Sequence, residues 1–492
     1  MKLIFFQLSQ LEKYQNINIE FHQPELKDKV LNLDSTQEEN AGHFNVLRNL
    51  KNKKIYLYYA DQTLNPFQSK TCLAISNDGI TFIKPKTKKE IEDNIILSRK
   101  CFSYNMNAFI DPSAPSSEKY KAIGGLHASS WHLKEYGQEI NPKIKFMYLK
   151  PILNLNPGQD IYSLPHPAFL KRKRLKSRKQ KYDDDTSSMF MYLDPTQNDP
   201  YFNGNGLQMY VSEDGLNWKS KFQIPILDGM QEGHYDGLYM CSYFDGHPNC
   251  FYDPFQNNYV IYVRSNLQSG VSHIQLARSQ DLTQWTPLEF VNFNPTFDLS
   301  SDNFYSMNAI PYPNSSDPIY MAFPSYYQNK SKESQIKIAW SSDGSSWKIK
   351  DWIKRSIKHS RDRFQGIMAS GLILSNDQSE FYLYEHNKKE KGLIRYAISR
   401  DRFTSISAKS NLGFFQTRPF IFKKSIKLNF RTLKGGYLNL EFLNKDQKTV
   451  STIKNIKGNN LRLVVDVPSK LVKKKGSLKI ILRYGDCYSI DV

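Results

Sequence analysis

The chain has 492 residues, of which 39% are hydrophobic, and it contains 30 Tyr and 30 Phe. This length exceeds what one ordinary core occupies, so we expect one large domain and one smaller domain. The mean hydropathy of −0.58 gives no indication of a membrane span, and the aromatic content favours β-strands over a helical bundle.

The formal net charge of +19 raises the question of a nucleic-acid partner. Part of this charge is local, because residues 171–181 contain eight Lys and Arg and are followed by Asp183, Asp184 and Asp185. Such a block is typical of a solvated loop. We therefore expect no nucleic-acid partner, with polyanion binding or nuclear targeting through this block as the alternatives.

The N-terminal segment and the cysteines bear on the compartment. Leu3 to Phe6 form a tight apolar run, which is shorter than the core of a secretory signal peptide. The five cysteines are scattered and odd in number, which indicates neither a disulfide framework nor a metal site. We therefore expect a cytoplasmic protein with reduced thiols and without cofactor or metal.

One short motif recurs five times along the chain. It consists of Ser, any residue, Asp, usually Gly, and an aromatic ring after two further residues. Ser and Asp side chains cap backbone N–H groups and Gly accepts positive φ, so each copy predicts a structural hairpin rather than a catalytic site. The copies are Ser76 to Phe82, Ser212 to Trp218, Ser279 to Trp285, Ser341 to Trp347 and a degraded Ser399 to Phe403.

Apolar and aromatic runs precede the motif copies and predict buried strands. Examples are Ile55 to Tyr59 and Tyr259 to Val263, and shorter strands begin further upstream at Asn107, Asn249 and Asn308. Four strands per unit and five units predict a five-bladed β-propeller over residues 1–410.

The interval from Asp78 to Asp214 is much longer than the later intervals between motif copies. We expect a polar, basic insertion at about residues 127–205 in the second blade. A sixth blade without the motif is the alternative.

The motif stops near residue 411. The alternating runs Tyr437 to Phe442 and Leu461 to Val465 are separated by Gly and Lys turns. This pattern predicts a β-sandwich over residues 411–492, which makes the whole chain all-β.

Two stretches carry a resemblance to a known family. Phe244-Asp245-Gly246-His247-Pro248-Asn249-Cys250-Phe251-Tyr252-Asp253-Pro254 is followed by Asn258-Tyr259-Val260-Ile261-Tyr262-Val263-Arg264. The chain resembles the five-bladed propeller glycoside hydrolases of families 32, 43 and 68, and most closely an uncharacterised bacterial-type branch of them. Tyr252 replaces the usual Trp, and the Asn-Asp-Pro-Asn-Gly, Arg-Asp-Pro and Glu-Cys motifs of family 32 are absent, so sucrose or fructan cleavage is not supported.

The resemblance implies hydrolysis of a glycosidic bond by paired carboxylates, placed where the first strands of the blades converge on a central funnel. Asp245, in an apolar and aromatic setting, is the expected general acid. Glu39 precedes the first blade and Asp302 opens the fourth. The alternatives are a turn-capping role for Asp245 and a solvated loop charge for Glu39.

The same reasoning places substrate-binding groups in the funnel. Imidazole, amide and guanidinium groups suit sugar hydroxyls or carboxylates, which selects His43, Asn107, His247, Arg264 and Gln365. A structural ion pair is the alternative for Arg264.

The expected activity is therefore a glycosidase acting on a carbohydrate or glycoconjugate. The second blade offers Asn105 and Asn107 where the catalytic families usually have an aspartate. For this reason a non-catalytic propeller that binds carbohydrate or protein remains the alternative.

Overall fold

In the computed structural model, most of the described residues lie in β-strands. The helical segments among the described residues, Leu8–Gln10 and Ser116–Glu118, are single 3-10 turns. No helix in the described residues could therefore span a membrane. The described residues are 2–33, 41–61, 70–85, 94–97, 105–125, 207–221, 226, 232–235, 238–241, 246–267, 272–297, 301–315, 317–328, 333–353, 366–387, 390–409 and 412–492.

Most strands lie in five sheets that follow one another along the chain. The N-terminal strands are β1 (Lys2–Ile4), β2 (Leu11–Gln15), β3 (Asn18–Phe21) and β4 (Glu25–Asn32). The first sheet contains β5 (Gly42–Arg48), β6 (Ile55–Asp61), β7 (Lys70–Ser76) and β8 (Ile95–Leu97). The second sheet contains β9 (Asn107–Ile110), β10 (Tyr120–Gly124), β11 (Gln208–Ser212) and β12 (Lys219–Ser220).

The next two sheets have additional strands. The third sheet contains β13 (Glu232–Tyr235), β14 (Leu238–Cys241), β15 (Asn249–Asp253), β16 (Asn258–Leu267), β17 (Ser272–Ser279) and β18 (Glu289–Phe290). The fourth sheet contains β19 (Asn292–Asn294), β20 (Asp302–Ser306), β21 (Ala309–Pro311), β22 (Tyr320–Ala322), β23 (Ser325–Gln328), β24 (Glu333–Ser341) and β25 (Ser346–Ile353).

The fifth sheet takes one strand from the start of the chain. Its later strands are β26 (Gly366–Met368), β27 (Ile373–Leu374), β28 (Glu380–Asn387) and β29 (Gly392–Ser399). β4 completes this sheet by pairing antiparallel with β29. Arg395 and Asp28, which are 367 positions apart, form an ion pair of 2.6 Å across this pairing.

A ten-stranded sheet follows. Its later strands are β30 (Thr404–Ala408), β31 (Gly413–Thr417), β32 (Phe420–Ile421), β33 (Ser425–Asn444), β34 (Thr449–Ile456), β35 (Asn459–Asp466) and β36 (Lys475–Asp491). β1, β2 and β3 also belong to it, since they pair with β36, β31 and β30. Strands from both sides of residue 410 therefore share one sheet. The domain boundary expected at residue 410 stays a prediction.

The five sheets stack face to face, which explains why a strand such as β6 is buried on both faces. On β6, Tyr58 packs with Tyr120 of the second sheet, whereas Leu57 packs with Tyr384 of the fifth sheet. Similar buried clusters join the second sheet to the third, the third to the fourth and the fourth to the fifth. The described part of the chain is thus all-β with a propeller-like arrangement of sheets.

The recurring motif forms the predicted hairpins. In the first copy, the N–H groups of Ile80 and Thr81 donate to Asp78 Oδ1 at 2.8 and 3.0 Å. Ser76 Oγ donates to the same oxygen and accepts from the Gly79 N–H. Asp214, Asp281 and Asp343 make the same contacts in their copies. The structural role predicted for the motif is therefore confirmed for these four aspartates.

The motif glycine also connects neighbouring sheets. Tyr384 of the fifth sheet donates its hydroxyl hydrogen to Gly79 O at 2.8 Å, and Tyr58 of the first sheet donates to Gly215 O at 2.8 Å. Tyr262 of the third sheet donates to Gly344 O at 2.6 Å. Each of these three hairpins is therefore held both by its own aspartate and by the adjacent sheet.

The degraded fifth copy has a different role. Asp401 accepts a hydrogen bond of 2.6 Å from the Lys2 ammonium group and one of 3.0 Å from the Tyr312 hydroxyl. Both members of the Lys2–Asp401 ion pair are buried. The fifth motif aspartate thus links β1 to the fourth and fifth sheets instead of capping its own hairpin.

A closed series of hydrogen bonds joins the five sheets to one another. We call Asn45, Asn107, Asn249, Asn308 and Ser370 the inner polar ring. Its bonds run from Ala108 N to Asn45 Oδ1 (2.9 Å), Cys250 N to Asn107 Oδ1 (3.2 Å), Ala309 N to Asn249 Oδ1 (2.7 Å), Asn308 Nδ2 to Met368 O (2.6 Å) and Asn45 Nδ2 to Ser370 O (3.4 Å). Each sheet is therefore hydrogen-bonded to the next, and the fifth sheet to the first.

Some sequence expectations fall outside the described residues. The predicted insertion at 127–205 and the basic block at 171–181 lie in the range 126–206, which the structure does not describe. Cys72, Cys250 and Cys487 are buried free thiols.

Candidate functional site

The strand ends opposite the motif hairpins bring aromatic and imidazole rings from three sheets together. His43 lies at the start of β5, His247 precedes β15, and Tyr305 lies near the end of β20. The His43 ring is 5.6 Å from the His247 ring and 6.2 Å from the Tyr305 ring, centroid to centroid. The His43 and Tyr305 rings are nearly parallel, with an interplanar angle of 20°.

Arg264 completes this group, which we call the His43–His247–Tyr305–Arg264 cluster. The guanidinium carbon of Arg264 lies 5.2 Å from the centroid of the Tyr305 ring, a cation–π contact. Arg264 comes from the later half of β16 in the third sheet. The structure therefore brings together three residues selected from sequence and one, Tyr305, that was not selected.

Gly246 permits this close approach. A Cβ atom at position 246 would lie 3.0 Å from Arg264 Cβ and 3.0 Å from Tyr305 O. The Gly246 carbonyl oxygen accepts a hydrogen bond of 2.9 Å from Asn105 Nδ2, and Asn105 Oδ1 accepts one of 2.7 Å from the Gly125 N–H. Asn105 thus fixes the backbone next to the cluster and has a structural role.

His247 is neutral and enclosed. Burial lowers the pKa of its imidazole to about 3, so the ring carries no charge near pH 7. Neither ring nitrogen has a hydrogen-bond partner among the described residues. Buried polar groups are normally hydrogen-bonded, so these two nitrogens are suited to a bound molecule with hydroxyl groups, or to water.

Asp302 has partners within its own sheet. Its Oδ1 accepts a hydrogen bond of 2.6 Å from the Tyr326 hydroxyl on β23. The Lys337 ammonium group lies 4.2 Å from the centroid of the Tyr326 ring and pairs with Asp351. These contacts are typical of a structural carboxylate, and a catalytic role for Asp302 stays a prediction.

Asn107 belongs to the inner polar ring. Its oxygen accepts the hydrogen bond from the Cys250 N–H, while its Nδ2 has no partner within the described part of the chain. One half of this amide is therefore structural, and the other half is buried without a partner among the described residues.

Three selected residues lie outside the described residues. These are Glu39, Asp245 and Gln365. The separation of the proposed paired carboxylates is therefore not described, although Asp245 directly precedes Gly246 in sequence. Among the described residues there is no group of three His, Cys, Asp or Glu side chains placed to hold a metal ion.

Two features were missed from sequence. Tyr305 follows Phe304, which is fully buried. Side chains alternate between the two faces of a strand, so a buried Phe304 predicts that Tyr305 lies on the opposite face. This alternation is the sequence signal that could have selected Tyr305. The inner polar ring had a signal in the asparagines that begin the short strands at 107, 249 and 308. That signal did not show that each amide bonds to the next sheet.

Several solved structures are similar to this chain. No family model and no curated protein matches the chain. An N-acetylgalactosamine deacetylase from F. plautii is 10% identical, with a TM-score of 0.41, over 94% of this chain and 95% of that one. The endo-arabinase from Bacteroides thetaiotaomicron is 9% identical, with a TM-score of 0.38, over 77% and 96%.

Glycoside hydrolases of families 32 and 43 are both among the similar structures. The Bombyx mori GH32 β-fructofuranosidase is 9% identical, with a TM-score of 0.36, over 96% of this chain and 94% of that one. A thermostable family-43 glycoside hydrolase is 12% identical, with a TM-score of 0.38, over 75% and 92%.

Proposed function

We propose that the chain is a glycoside hydrolase whose substrate binds against the His43–His247–Tyr305–Arg264 cluster. Asp245 is the general acid, and Glu39 is the base or nucleophile. The observation that carries the proposal is the buried, neutral His247, whose two ring nitrogens lack partners among the described residues and whose ring contacts the His43 ring that stacks on Tyr305. Asp245 lies one residue before Gly246, which packs against this cluster.

The chemistry of the cluster suits a sugar. A neutral imidazole offers one donor and one acceptor, which matches a hydroxyl group. The half-buried Tyr305 offers ring surface for the apolar face of a pyranose or furanose, and the half-buried Arg264 carries N–H donors. Binding sites of small molecules commonly combine aromatic surface with a few such polar groups.

A second part of the proposal concerns the number of blades and the C-terminal domain. We propose five propeller blades within residues 1–410 and a β-sandwich within residues 411–492. The inner polar ring and the stacking of the fifth sheet on the first support five blades. On this proposal β4 completes the last blade, and β1 to β3 extend the sandwich.

The proposal is tested with the Asp245→Asn variant and substrates whose leaving groups differ in acidity. A general acid matters most when the leaving alcohol is poor, because that oxygen needs its proton in the transition state. We expect kcat/KM to fall by about 10²–10⁴ on a disaccharide or alkyl glycoside. On the matching 2,4-dinitrophenyl glycoside we expect a loss below about tenfold. An initial screen of aryl glycosides identifies the sugar.

The matched control is Asp446→Asn, which removes an exposed carboxylate in the turn between β33 and β34. Its kinetics should equal those of the unchanged chain on every substrate. Equal losses of Asp245→Asn on both leaving groups would exclude a general-acid role. Unchanged turnover would remove Asp245 from the mechanism altogether.

A non-catalytic carbohydrate-binding propeller is the second candidate. The observation that favours it is the use of Asn105 and Asn107 in structural hydrogen bonds where catalytic relatives usually carry an aspartate. This candidate predicts oligosaccharide binding without turnover. His247→Phe should then weaken binding, and Asp245→Asn should leave it unchanged.

A further inference from the structure

Much of the positive charge of the chain lies in its C-terminal residues. Residues 411–492 contain 17 Lys and Arg but only 5 Asp and Glu, so they carry most of the formal net charge of +19. These residues form the strands β31 to β36. The basic block at 171–181 therefore accounts for a smaller share than this sheet.

Part of this charge converges on one cavity of about 560 Å³. Five cationic side chains from three separate parts of the chain line it, and Asp491 is the acidic side chain in the lining. The five cations are Lys2, Arg400, Lys423, Lys424 and Lys427. We call this the Arg400–Lys427 cavity.

The cations of this cavity are of two kinds. Arg400 is buried, its Nε lies 3.7 Å from Asp401 Oδ2, and its Nη1 donates to Gln378 Oε1 at 3.0 Å. Asp401 Oδ2 is already engaged with Lys2. By contrast, Lys423, Lys424 and Lys427 form no ion pair with any described residue, so their charge is available to a ligand.

We propose that the Arg400–Lys427 cavity binds a small ligand that carries two or more oxyanion groups, such as phosphate, sulfate or carboxylate. Lysine and arginine side chains are the usual protein partners of these groups. The volume lies in the range of small-molecule sites, and the cations face one concavity instead of forming an extended row along a polymer. The site is independent of the proposed glycosidase funnel.

A second cavity of about 720 Å³ adjoins this site, since Lys423 lines both. It is lined by Phe5, Trp340 and Phe420, with Arg418 among its polar residues. A ligand with oxyanion groups can therefore extend an uncharged part from the cationic cavity along this apolar wall.

The test measures binding to the full chain by isothermal titration calorimetry. The probes are fructose 1,6-bisphosphate for phosphate, trigalacturonate for carboxylate, a sulfated disaccharide for sulfate, and maltotriose as the neutral sugar. We expect a Kd below about 1 mM for at least one anion, no binding of maltotriose, and weaker binding at about 200 mM than at about 50 mM salt. The tightest probe identifies which oxyanion the cavity prefers.

Two triple variants with equal charge loss decide whether the cavity is responsible. The first replaces Lys423, Lys424 and Lys427 by Ser. The second replaces Lys445, Lys448 and Lys454 by Ser, at exposed positions in β34 and in the turn that precedes it, outside the cavity. We expect the Kd to rise by about tenfold or more in the first variant and by less than about threefold in the second.

Three outcomes would overturn the proposal. Equal losses in the two variants would show that the whole sheet attracts anions without a site. Absence of anion binding in the unchanged chain would show that the cavity holds no such ligand. Tighter binding of a DNA duplex, weakened equally in both variants, would make the surface a nucleic-acid contact. None of these outcomes depends on glycosidase activity.

Discussion

At the scale of single residues, burial lowers the pKa of the His247 and His273 imidazoles. His273 is enclosed by Phe290, Phe293 and Phe304, with ring centroids 5.2 to 5.6 Å away. Burial lowers its pKa to about 4, although a hydrogen bond with the Ile274 carbonyl oxygen acts in the opposite direction. Like His247, it stays neutral in the folded chain at mildly acidic pH.

This leads to a predicted loss of stability in acid. The unfolded chain takes up a proton at His273 below about pH 6.5, whereas the folded chain does not until about pH 4. The free energy of unfolding therefore falls as pH decreases through this window, by roughly 2 kcal/mol at pH 5 for this residue. In His273→Leu, the difference in stability between about pH 7.5 and about pH 5 should shrink by about that amount.

Urea unfolding midpoints at the two pH values measure this effect. Phe290→Leu is the control, since it alters the same packing without removing a titrating group. It should shift both midpoints alike. If His273→Leu retains the full pH dependence, other groups cause the acid sensitivity.

At the scale of elements, the turns depend on glycine for two separable reasons. Gly79, in the first motif hairpin, has a φ of +80°, and a Cβ there would meet Tyr384 Oη at 2.7 Å and Ile55 Cδ1 at 3.0 Å. Gly435, within β33, has a φ of +78°, and no described atom lies within 4 Å of the position that a Cβ would occupy. The two sites therefore share backbone conformation and differ in the space around it.

We accordingly predict different costs for the same substitution. Gly435→Ala should lower the free energy of unfolding by about 1 kcal/mol, the cost of a left-handed backbone. Gly79→Ala should cost about 2–4 kcal/mol, since overpacking against the fifth sheet adds to that cost. Chemical denaturation of both variants provides the comparison.

The double variant Gly79→Ala with Tyr384→Phe locates the additional cost. Removing the hydroxyl relieves the closest contact, so the two losses should add to more than the loss of the double variant. Equal costs for Gly79→Ala and Gly435→Ala would mean that the first motif hairpin accommodates the added methyl group without strain against the fifth sheet.

The hairpins and the long-range strand pairings differ in how well a local sequence pattern predicts them. Ser76, Asp78 and Gly79 interact within a few positions, so a local motif was sufficient to predict their hairpin. The pairing of β4 with β29 and the bonds of the inner polar ring join distant positions, and no local pattern specifies such partners. At the candidate site, the residue types of His43 and His247 indicated a role, but their proximity depends on the folded path through Gly246.

At the scale of the whole molecule, Lys2 and Asp401 connect the ten-stranded sheet to the five stacked sheets. Their ion pair is buried and joins positions 399 apart. Lys51 and Glu213 form an ion pair of 2.5 Å, but both side chains are more than half exposed. The two pairs therefore differ mainly in solvent access.

We predict that Lys2→Met lowers the free energy of unfolding by about 3 kcal/mol, because it leaves a buried carboxylate with a poorer partner. Lys51→Met should cost less than about 1 kcal/mol, as is usual for exposed pairs. Thermal or denaturant unfolding measures both. Similar costs for the two variants would show that Arg400 alone is sufficient to stabilise Asp401.

The position of β4 in the fifth sheet also sets an order of events during synthesis. Each hairpin can form as soon as its own residues leave the ribosome, whereas β4 has no partner until β29 has been made. Until then, the faces of β6 and β28 that meet in the finished molecule stay exposed, and they include Ile55, Leu57 and Tyr384. Long-range closure of this kind is slow, and exposed apolar strands favour aggregation. A pause in translation before residue 392 therefore prolongs the time for which these apolar strands are exposed.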